Sequence, residues 1–297
     1  MKNKQPLVIV LMGPTASGKT DLSIEIAKTL NLDIHNVDSR QLYIGMDIGT
    51  AKPTRSQQSL IKHFLLDLRQ PNDPITLHEF QKEAIISLQK NLNEKKIGFL
   101  VGGSGLYLKS LISGLVPPAI PAQHILRHQF KAIGQKTCHQ LLQHCDPIGA
   151  KKIAPADISR TIRALEVFYA TGKTMSSLQS IKPPPWRFLE LGLNPKNLNE
   201  RIAKRTRHIF ENGLLEETQK LIYKFGRDLS LLKTIGYKEA LKVLEGTSSI
   251  EEAIAMATVR TNQFAKKQKT WFKGQHKTKW LNEKNPLSEA LSLIETL

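Results

Sequence analysis

The chain has 297 residues, with 43 Lys and Arg against 26 Asp and Glu, a formal charge of +17. Apolar residues make up 40% of it, too many for a disordered chain, and its 18 glycines show no three-residue period, which excludes collagen. No run approaches the roughly 18 apolar residues that span a membrane, and two cysteines, Cys138 and Cys145, are too few for a disulfide scaffold.

Leu7–Met12 is a continuous apolar run, the mark of a strand buried on both faces. It is too short for the apolar region of a signal peptide, so a cytoplasmic protein is expected. A small, polar stretch follows, and then Leu22, Ile26 and Leu30 recur at helical spacing, predicting a helix over 21–30. A second strand is expected at Leu32–Val37, ending at Asp38, then a helix over Leu77–Leu92 and a third strand at Ile97–Val101, ending in Gly102-Gly103. Strands alternating with helices predict an α/β fold with a parallel sheet flanked by helices.

The texture changes at Val116-Pro117-Pro118, and a second cluster, Pro183-Pro184-Pro185, closes the stretch. Between them the pattern is helical, with no convincing buried strand, and Lys and Arg outnumber Asp and Glu. The expected organisation is a core of residues 1–116 and 188–297 carrying a basic helical insertion domain, 117–187. Phe188–Leu193 reads as one more strand of the sheet, while 199–225 and 250–273 read as helix. Within 250–273, Ala257, Thr261, Phe264, Gln268 and Trp271 form a mostly apolar seam, expected to be core.

The charge implies a polyanionic partner, because Lys and Arg gain affinity by displacing counterions from phosphates. The polar stretch after the first strand, Gly13-Pro14-Thr15-Ala16-Ser17-Gly18-Lys19-Thr20, fits G-x-x-x-x-G-K-[ST] between a buried strand and a helix start. Backbone N–H groups there cradle phosphates, Lys19 neutralises them, and Thr20 is placed to hold a divalent metal ion. The motif specifies a polyphosphate, not a particular nucleotide. A P-loop hydrolase usually carries a further strand ending in an acidic residue. Here the third strand ends in glycine and serine, and the acidic strand end is Asp38. An aspartate at the carboxyl edge of the sheet is placed to accept a proton from a substrate, with a metal-shell or capping role as the alternative.

Asp38-Ser39-Arg40-Gln41, then Gly45-Met46-Asp47-Ile48-Gly49-Thr50-Ala51-Lys52-Pro53, directly after this P-loop, resembles the tRNA dimethylallyltransferases, also called tRNA isopentenyltransferases. The resemblance continues through His63 and Asp67, Val101–Tyr107, Arg160–Val167, Thr171-Gly172-Lys173, Ile235-Gly236-Tyr237 and Arg260–Trp271. It therefore covers nearly the whole chain in order and implies a P-loop NTPase-like fold. The family transfers a dimethylallyl group from dimethylallyl diphosphate to N6 of the adenosine 3′-adjacent to the anticodon, with magnesium. It implies that the P-loop, Gly13 to Thr20, holds the donor diphosphate, with Mg2+ at Thr20, and that Asp38 and Thr15 are catalytic. It also implies that tRNA, by its anticodon stem-loop, meets Asp38, Ser39, Arg40, Gln41, Ser104, Arg127, Ser159, Arg160, Thr161, Ile162 and Arg163.

Arg201, Arg205 and His208 share one helical face, and the resemblance favours a functional role for the two arginines. Lys233 stands where the family usually has Arg, which turns a bidentate fork into a point charge. Tyr107 and Tyr237 are open between base stacking and packing. Lys266, Lys269 and Lys273 are expected to track a tRNA backbone. His124, His128, Cys138, His139, His144 and Cys145 lack paired zinc spacing, so no zinc site and no membrane partner are expected, and a monomer is. The competing readings are prenylation of free adenine nucleotides, which the basic insertion disfavours, a P-loop nucleotide kinase, and a non-enzymatic RNA-binding protein.

Overall fold

The computed structural model describes residues 5–297. In chain order its elements are β1 (Leu7–Met12), α1 (Lys19–Leu30), β2 (Ile34–Val37), α2 (Arg55–Leu60), β3 (His63–Phe64), α3 (Leu77–Lys95), β4 (Ile97–Gly102), α4 (Gly105–Ile112) and β5 (Leu115–Val116). There follow α5 (His124–Ile133), α6 (Gln135–Cys145), α7 (Pro147–Lys152), α8 (Ile158–Thr171), α9 (Met175–Leu178), β6 (Ser180–Ile181) and β7 (Arg187–Gly192). The last are α10 (Leu198–Glu211), α11 (Leu214–Phe225), a 3-10 turn at Ser230–Lys233, α12 (Tyr237–Leu244), α13 (Ile250–Gln275), β8 (Lys279–Trp280) and α14 (Pro286–Glu295).

The described chain divides into two compact units. The first holds the residues through Ile75, Gln81–Lys109 and Pro185–Leu297, and the second holds Thr76–Phe80 and Ser110–Pro184.

The first unit is built on a six-stranded sheet in the order β3-β2-β4-β1-β7-β8, with every ladder parallel. All six residues of β1 are buried, because it lies between β4 and β7 and is covered on both faces. Leu7, Ile9 and Leu11 pack on one side with Leu22, Ile26 and Ala27 of α1 and Ala290 and Ile294 of α14. On the other side α3 closes over β4. A Cβ on Gly98 would lie 2.8 Å from Leu88 Cδ1, so the glycine lets that helix approach. Parallel pairing aligns the strand ends, so the loops after β1, β2, β4 and β7 leave from one edge of the sheet.

Three features refine the sequence reading. The stretch 199–225, expected to be mostly helix, is the two helices α10 and α11. Gly213 adopts a left-handed φ of 104° between them, a conformation that costs a side-chain-bearing residue and stops α10. The 250–273 seam is not uniformly core: Ala257 is buried, but Phe264 is 45% exposed. And β8, a two-residue strand, extends the sheet beside β7.

The second unit is mostly helical. Phe130, Cys138, Leu142, Ala150, Ile162 and Leu165 form its core, where α5, α6 and α8 meet. Its chain ends are drawn together by β5 and β6, which pair antiparallel with Leu115 opposite Ile181. The pairing begins before Pro117, so the unit opens at Ser110, upstream of the proline cluster. Two-residue strands give no periodicity to read, which is why the sequence does not announce them.

A buried carboxylate organises this unit. Glu166, with no exposed side-chain surface, accepts from Arg127 Nε and Nη2 at 2.7 and 2.9 Å, from the Gln123 N–H at 2.5 Å, and from Arg163 Nη1. Burial pushes its carboxyl up, but the hydrogen bonds from Arg127, Arg163 and Gln123 outweigh that and hold it below the usual range. Removing one partner of such a network strands the others. Glu166→Ala is therefore expected to cost on the order of 3 kcal/mol of stability, measured by denaturant unfolding, at the low end because both arginines keep some solvent.

Candidate active site at the carboxyl edge of the sheet

A cleft of about 1210 Å³ opens at the edge where β1, β2 and β4 end. Its first wall is the Gly13–Thr20 loop. Gly13 has no room for a side chain, since a Cβ would meet the Leu193 carbonyl oxygen at 2.6 Å. Gly18, at φ 92°, turns the chain into α1, whose N-terminus is thereby aimed at the cleft. Lys19 folds back over the loop, and its Nζ donates to the Gly13 and Pro14 carbonyls at 3.0 and 2.7 Å.

α10 supplies the facing wall, with Arg201, Lys204, Arg205 and His208 on the cleft. Arg201 Nε donates to the Ala16 carbonyl at 3.0 Å, which pins α10 to the loop. Burial, reinforced by the neighbouring Arg205, lowers the Lys19 ammonium to about 7, and Asp38 acts against both. Burial also lowers Arg205, again opposed by Asp38. Lys19 and Arg205, joined on the cleft by Arg201, Lys204 and Lys233, make a site that favours a polyanion.

Asp38 follows β2. Its Oδ1 accepts the N–H of Arg40 at 2.8 Å and of Gln41 at 3.4 Å, so the carboxylate shapes its own turn. Its Oδ2 accepts no hydrogen bond from the described residues. Asp38 thus both caps its turn and lines the cleft. The Ser39 N–H donates to Ser104 Oγ at 2.9 Å, which joins the turns after β2 and β4. Gln41 Nε2 reaches the Thr50 and Ala51 carbonyls at 3.3 and 3.1 Å.

The sequence-predicted residues therefore fall into two groups. Thr15 to Thr20, Asp38 to Gln41 and Ser104 line the cleft, joined by Arg201, Arg205, His208 and Lys233. Arg127 and Ser159 to Arg163 belong to the second unit. There Ser159 and Arg160 are exposed, whereas Arg127 and Arg163 are engaged by Glu166. Thr161 and Ile162, expected to meet tRNA, have buried side chains: Ile162 packs in the unit's core, and the Thr161 hydroxyl accepts from Gln135 Nε2 at 3.1 Å. Tyr237 is 1% exposed, and its hydroxyl donates to Glu217 at 2.6 Å, so it packs rather than offering a free ring. The Tyr107 phenol is held up at about 12 by burial and by Tyr43, so it stays protonated.

Three contributors escaped the sequence reading. Gln268 is read as core by spacing, yet its Oε1 accepts the Thr15 N–H at 2.9 Å and its Nε2 donates to the Gly103 carbonyl at 2.8 Å. A glutamine inside an apolar seam was the available signal. Buried Lys52 donates to Asp47 and Asp67, each at 2.6 Å, and to the Tyr43 carbonyl at 2.8 Å, which fastens the loop from inside. Glu217 fastens the same loop from α11. No spacing rule links residues so far apart in sequence.

Among the described residues no cluster of three or more His, Cys, Asp or Glu is placed to cage a metal ion, and no helix is long and apolar enough to cross a membrane.

The sequence pattern of the IPP transferase family matches residues 41–275. A tRNA dimethylallyltransferase of Prochlorococcus marinus is 65% identical over 297 residues, covering 100% of this chain and 99% of that protein. One from a Synechococcus species is 58% identical over 291 residues, 98% of both chains. The fold matches the crystal structure of a tRNA delta(2)-isopentenylpyrophosphate transferase from Staphylococcus epidermidis, with a TM-score of 0.70 and 32% identity over 99% of this chain and 100% of that one. It also matches a eukaryotic dimethylallyltransferase acting on tRNA, with a TM-score of 0.80 and 27% identity over 98% of this chain and 78% of that one. A phosphate-cradling loop, an aspartate at the next strand end, and likeness along the full length converge: the chain belongs to the IPP transferase family, the tRNA dimethylallyltransferases.

Proposed function

We propose that this protein transfers a dimethylallyl group from dimethylallyl diphosphate to N6 of the adenosine 3′-adjacent to the anticodon of tRNA. The observation that carries the reading is one cleft lined by both Thr15–Thr20 of the phosphate cradle and Asp38. Diphosphate binds the loop N–H groups, Lys19 and the arginines of α10. The bond from N6 to the prenyl carbon forms as the bond from that carbon to the diphosphate oxygen breaks, and the electron pair leaves on the diphosphate. The adenine amine is a poor nucleophile, and Asp38 accepts its proton as the new bond forms. Lys19 and the N–H groups stabilise the negative charge that grows on the leaving group.

Thr20, on the cleft beside the loop that takes the diphosphate, would hold a magnesium ion, and the ion would neutralise leaving-group charge. The target base is extruded from its stack to reach Asp38. The anticodon stem-loop meets Ser39, Arg40, Gln41 and Ser104, and the exposed Ser159 and Arg160 of the second unit add contacts. The protein acts as a monomer in this reading.

The test is a transfer assay with unmodified tRNA, labelled dimethylallyl diphosphate and magnesium, with AMP and ATP as parallel acceptors. Label mapped to the adenosine 3′ of the anticodon is expected. Label in free nucleotide alone, or ATP consumption without transfer, overturns the reading. Because backbone contacts release counterions, tRNA affinity is also expected to fall at least about tenfold between roughly 50 and 200 mM salt. A flat salt dependence in a filter-binding titration would contradict a phosphate track.

A further inference from the structure

The Gly45–Pro53 segment contributes Gly49, Thr50, Ala51 and Pro53 to the cleft but forms no helix or strand of its own. Three successive backbone N–H groups of the segment point at one carboxylate. Glu217 Oε2 accepts those of Asp47 and Ile48 at 2.9 and 2.8 Å, and Oε1 accepts that of Gly49 at 3.0 Å. The same Oε1 accepts the Tyr237 hydroxyl at 2.6 Å. Glu217 is 8% exposed and does not itself line the cleft, whereas Tyr237 does. The Tyr237 ring lies where a side chain on Gly49 would be, 2.5 Å from the ideal Cβ. The turn that carries Tyr237 is secured in its turn: Glu239, 1% exposed, accepts the Gly236 N–H at 2.8 Å and an N–H of Arg260.

We infer that Glu217 is a positioning residue: it latches the 47–49 loop to Tyr237 and so fixes the acceptor-side wall of the cleft. The reasoning is chemical. A carboxylate held away from water is costly unless its oxygens are fully used, and these accept four hydrogen bonds, all from two segments that face the cleft. The buried Leu214 and Leu221 supply the apolar face of α11, and all four hydrogen bonds that Glu217 accepts come from outside that helix. Burial and the adjacent Glu217 both hold the Tyr237 phenol in its protonated form, so it remains a donor to the latch. The donor end of the cleft is built from other parts, the Gly13–Thr20 loop and α10, and should not feel the latch.

The catalytic consequence rests on the transfer activity proposed above, while the latch itself does not. Glu217→Gln keeps the size but presents an NH2 where an acceptor is required, so the N–H of Gly49, or those of Asp47 and Ile48, loses its partner. Amide hydrogen exchange over residues 45–53 is expected to speed up at least about tenfold, with exchange in β1 and β4 unchanged. A displaced wall misplaces the acceptor, so kcat/KM for tRNA is expected to fall at least about tenfold. Binding of inorganic diphosphate should stay within about twofold, as none of the four hydrogen bonds to Glu217 comes from the Gly13–Thr20 loop or α10.

Exchange over 45–53 and kcat/KM both within twofold of the parent protein would overturn the inference. So would faster exchange everywhere with unchanged kcat/KM well below the melting temperature, which is what a merely stabilising role produces. If Glu217→Gln does not fold, Tyr237→Phe decides: it leaves the three backbone bonds and frees only the turn. A fall in kcat/KM of about two- to fivefold, with 45–53 still protected, supports the latch, and no change overturns it. If the parent protein transfers nothing to tRNA, the proposed function fails, and the exchange measurement still judges the latch.

Discussion

Asp38→Asn is expected to lose about a thousandfold in turnover while binding tRNA within a few-fold of the parent protein, in line with the contribution of a positioned general base. Asparagine is the informative change. Its side-chain oxygen can still accept the Arg40 and Gln41 N–H groups, so the turn that Oδ1 shapes survives. What disappears is a group able to take the N6 proton. Asp38→Ala removes both functions, and the difference between the two variants separates the turn from the chemistry. Single-turnover transfer with tRNA in excess, alongside direct tRNA binding, measures each part. Near-parental turnover by Asp38→Asn would remove Asp38 as the base.

Lys19→Ala is expected to weaken diphosphate binding about a hundredfold, the scale of one lost charge-assisted contact in a partly enclosed site. The surroundings of Lys19 sharpen the prediction. With its ammonium lowered to about 7, part of the free protein carries a neutral lysine at neutral pH. A bound diphosphate favours the charged form, so binding takes up a proton, and affinity declines as pH rises above about 7. In Lys19→Ala that portion of the pH dependence should vanish, which isothermal titration in buffers of different ionisation enthalpy would read directly.

The same group has an opposite effect on the unliganded fold. Its folded value lies below the unfolded 10.5, so the native state binds fewer protons between about 7 and 10.5. The penalty is fully present below about 7 and is relieved as pH rises through that window. Lys19→Met should therefore raise the melting temperature of the free protein near neutral pH while impairing binding. A lower melting temperature for that variant would show that the hydrogen bonds to Gly13 and Pro14 outweigh the buried charge.

Much of this was readable from the sequence because it is local. The Leu7–Met12 run coincides with β1, since an unbroken apolar hexapeptide before a glycine has few other uses. The cradle is legible for the same reason: eight consecutive residues carry a strand end, a phosphate loop and a helix start. Asp38 is legible too, as an acidic strand end, and the resemblance added its catalytic role and the family. What stayed hidden depends on partners distant in sequence. Gln268 and Phe264 obey helical spacing, but spacing reports only that a face is covered, not that a cleft covers it. Thr161 and Ile162 sit in a motif whose arginines are exposed in part, yet the helix turns the pair between them inward. Glu217 and Lys52 look like surface charges until the irregular 45–53 loop is folded around them.

The amide of Gln268 joins Thr15 to Gly103 across 253 and 165 positions of the chain. β1, the strand that launches the cradle, is held on its two sides by β4 and β7, which begin at Ile97 and Arg187. A ribosome therefore exposes the first strand long before either neighbour exists, and the phosphate loop waits for α13 to gain its brace. Parallel pairing over such separations is intrinsically slow, and the waiting strand is wholly apolar. Nascent chains of this protein should thus depend on a holding chaperone until the region around residue 268 has emerged, and become able to bind diphosphate only then.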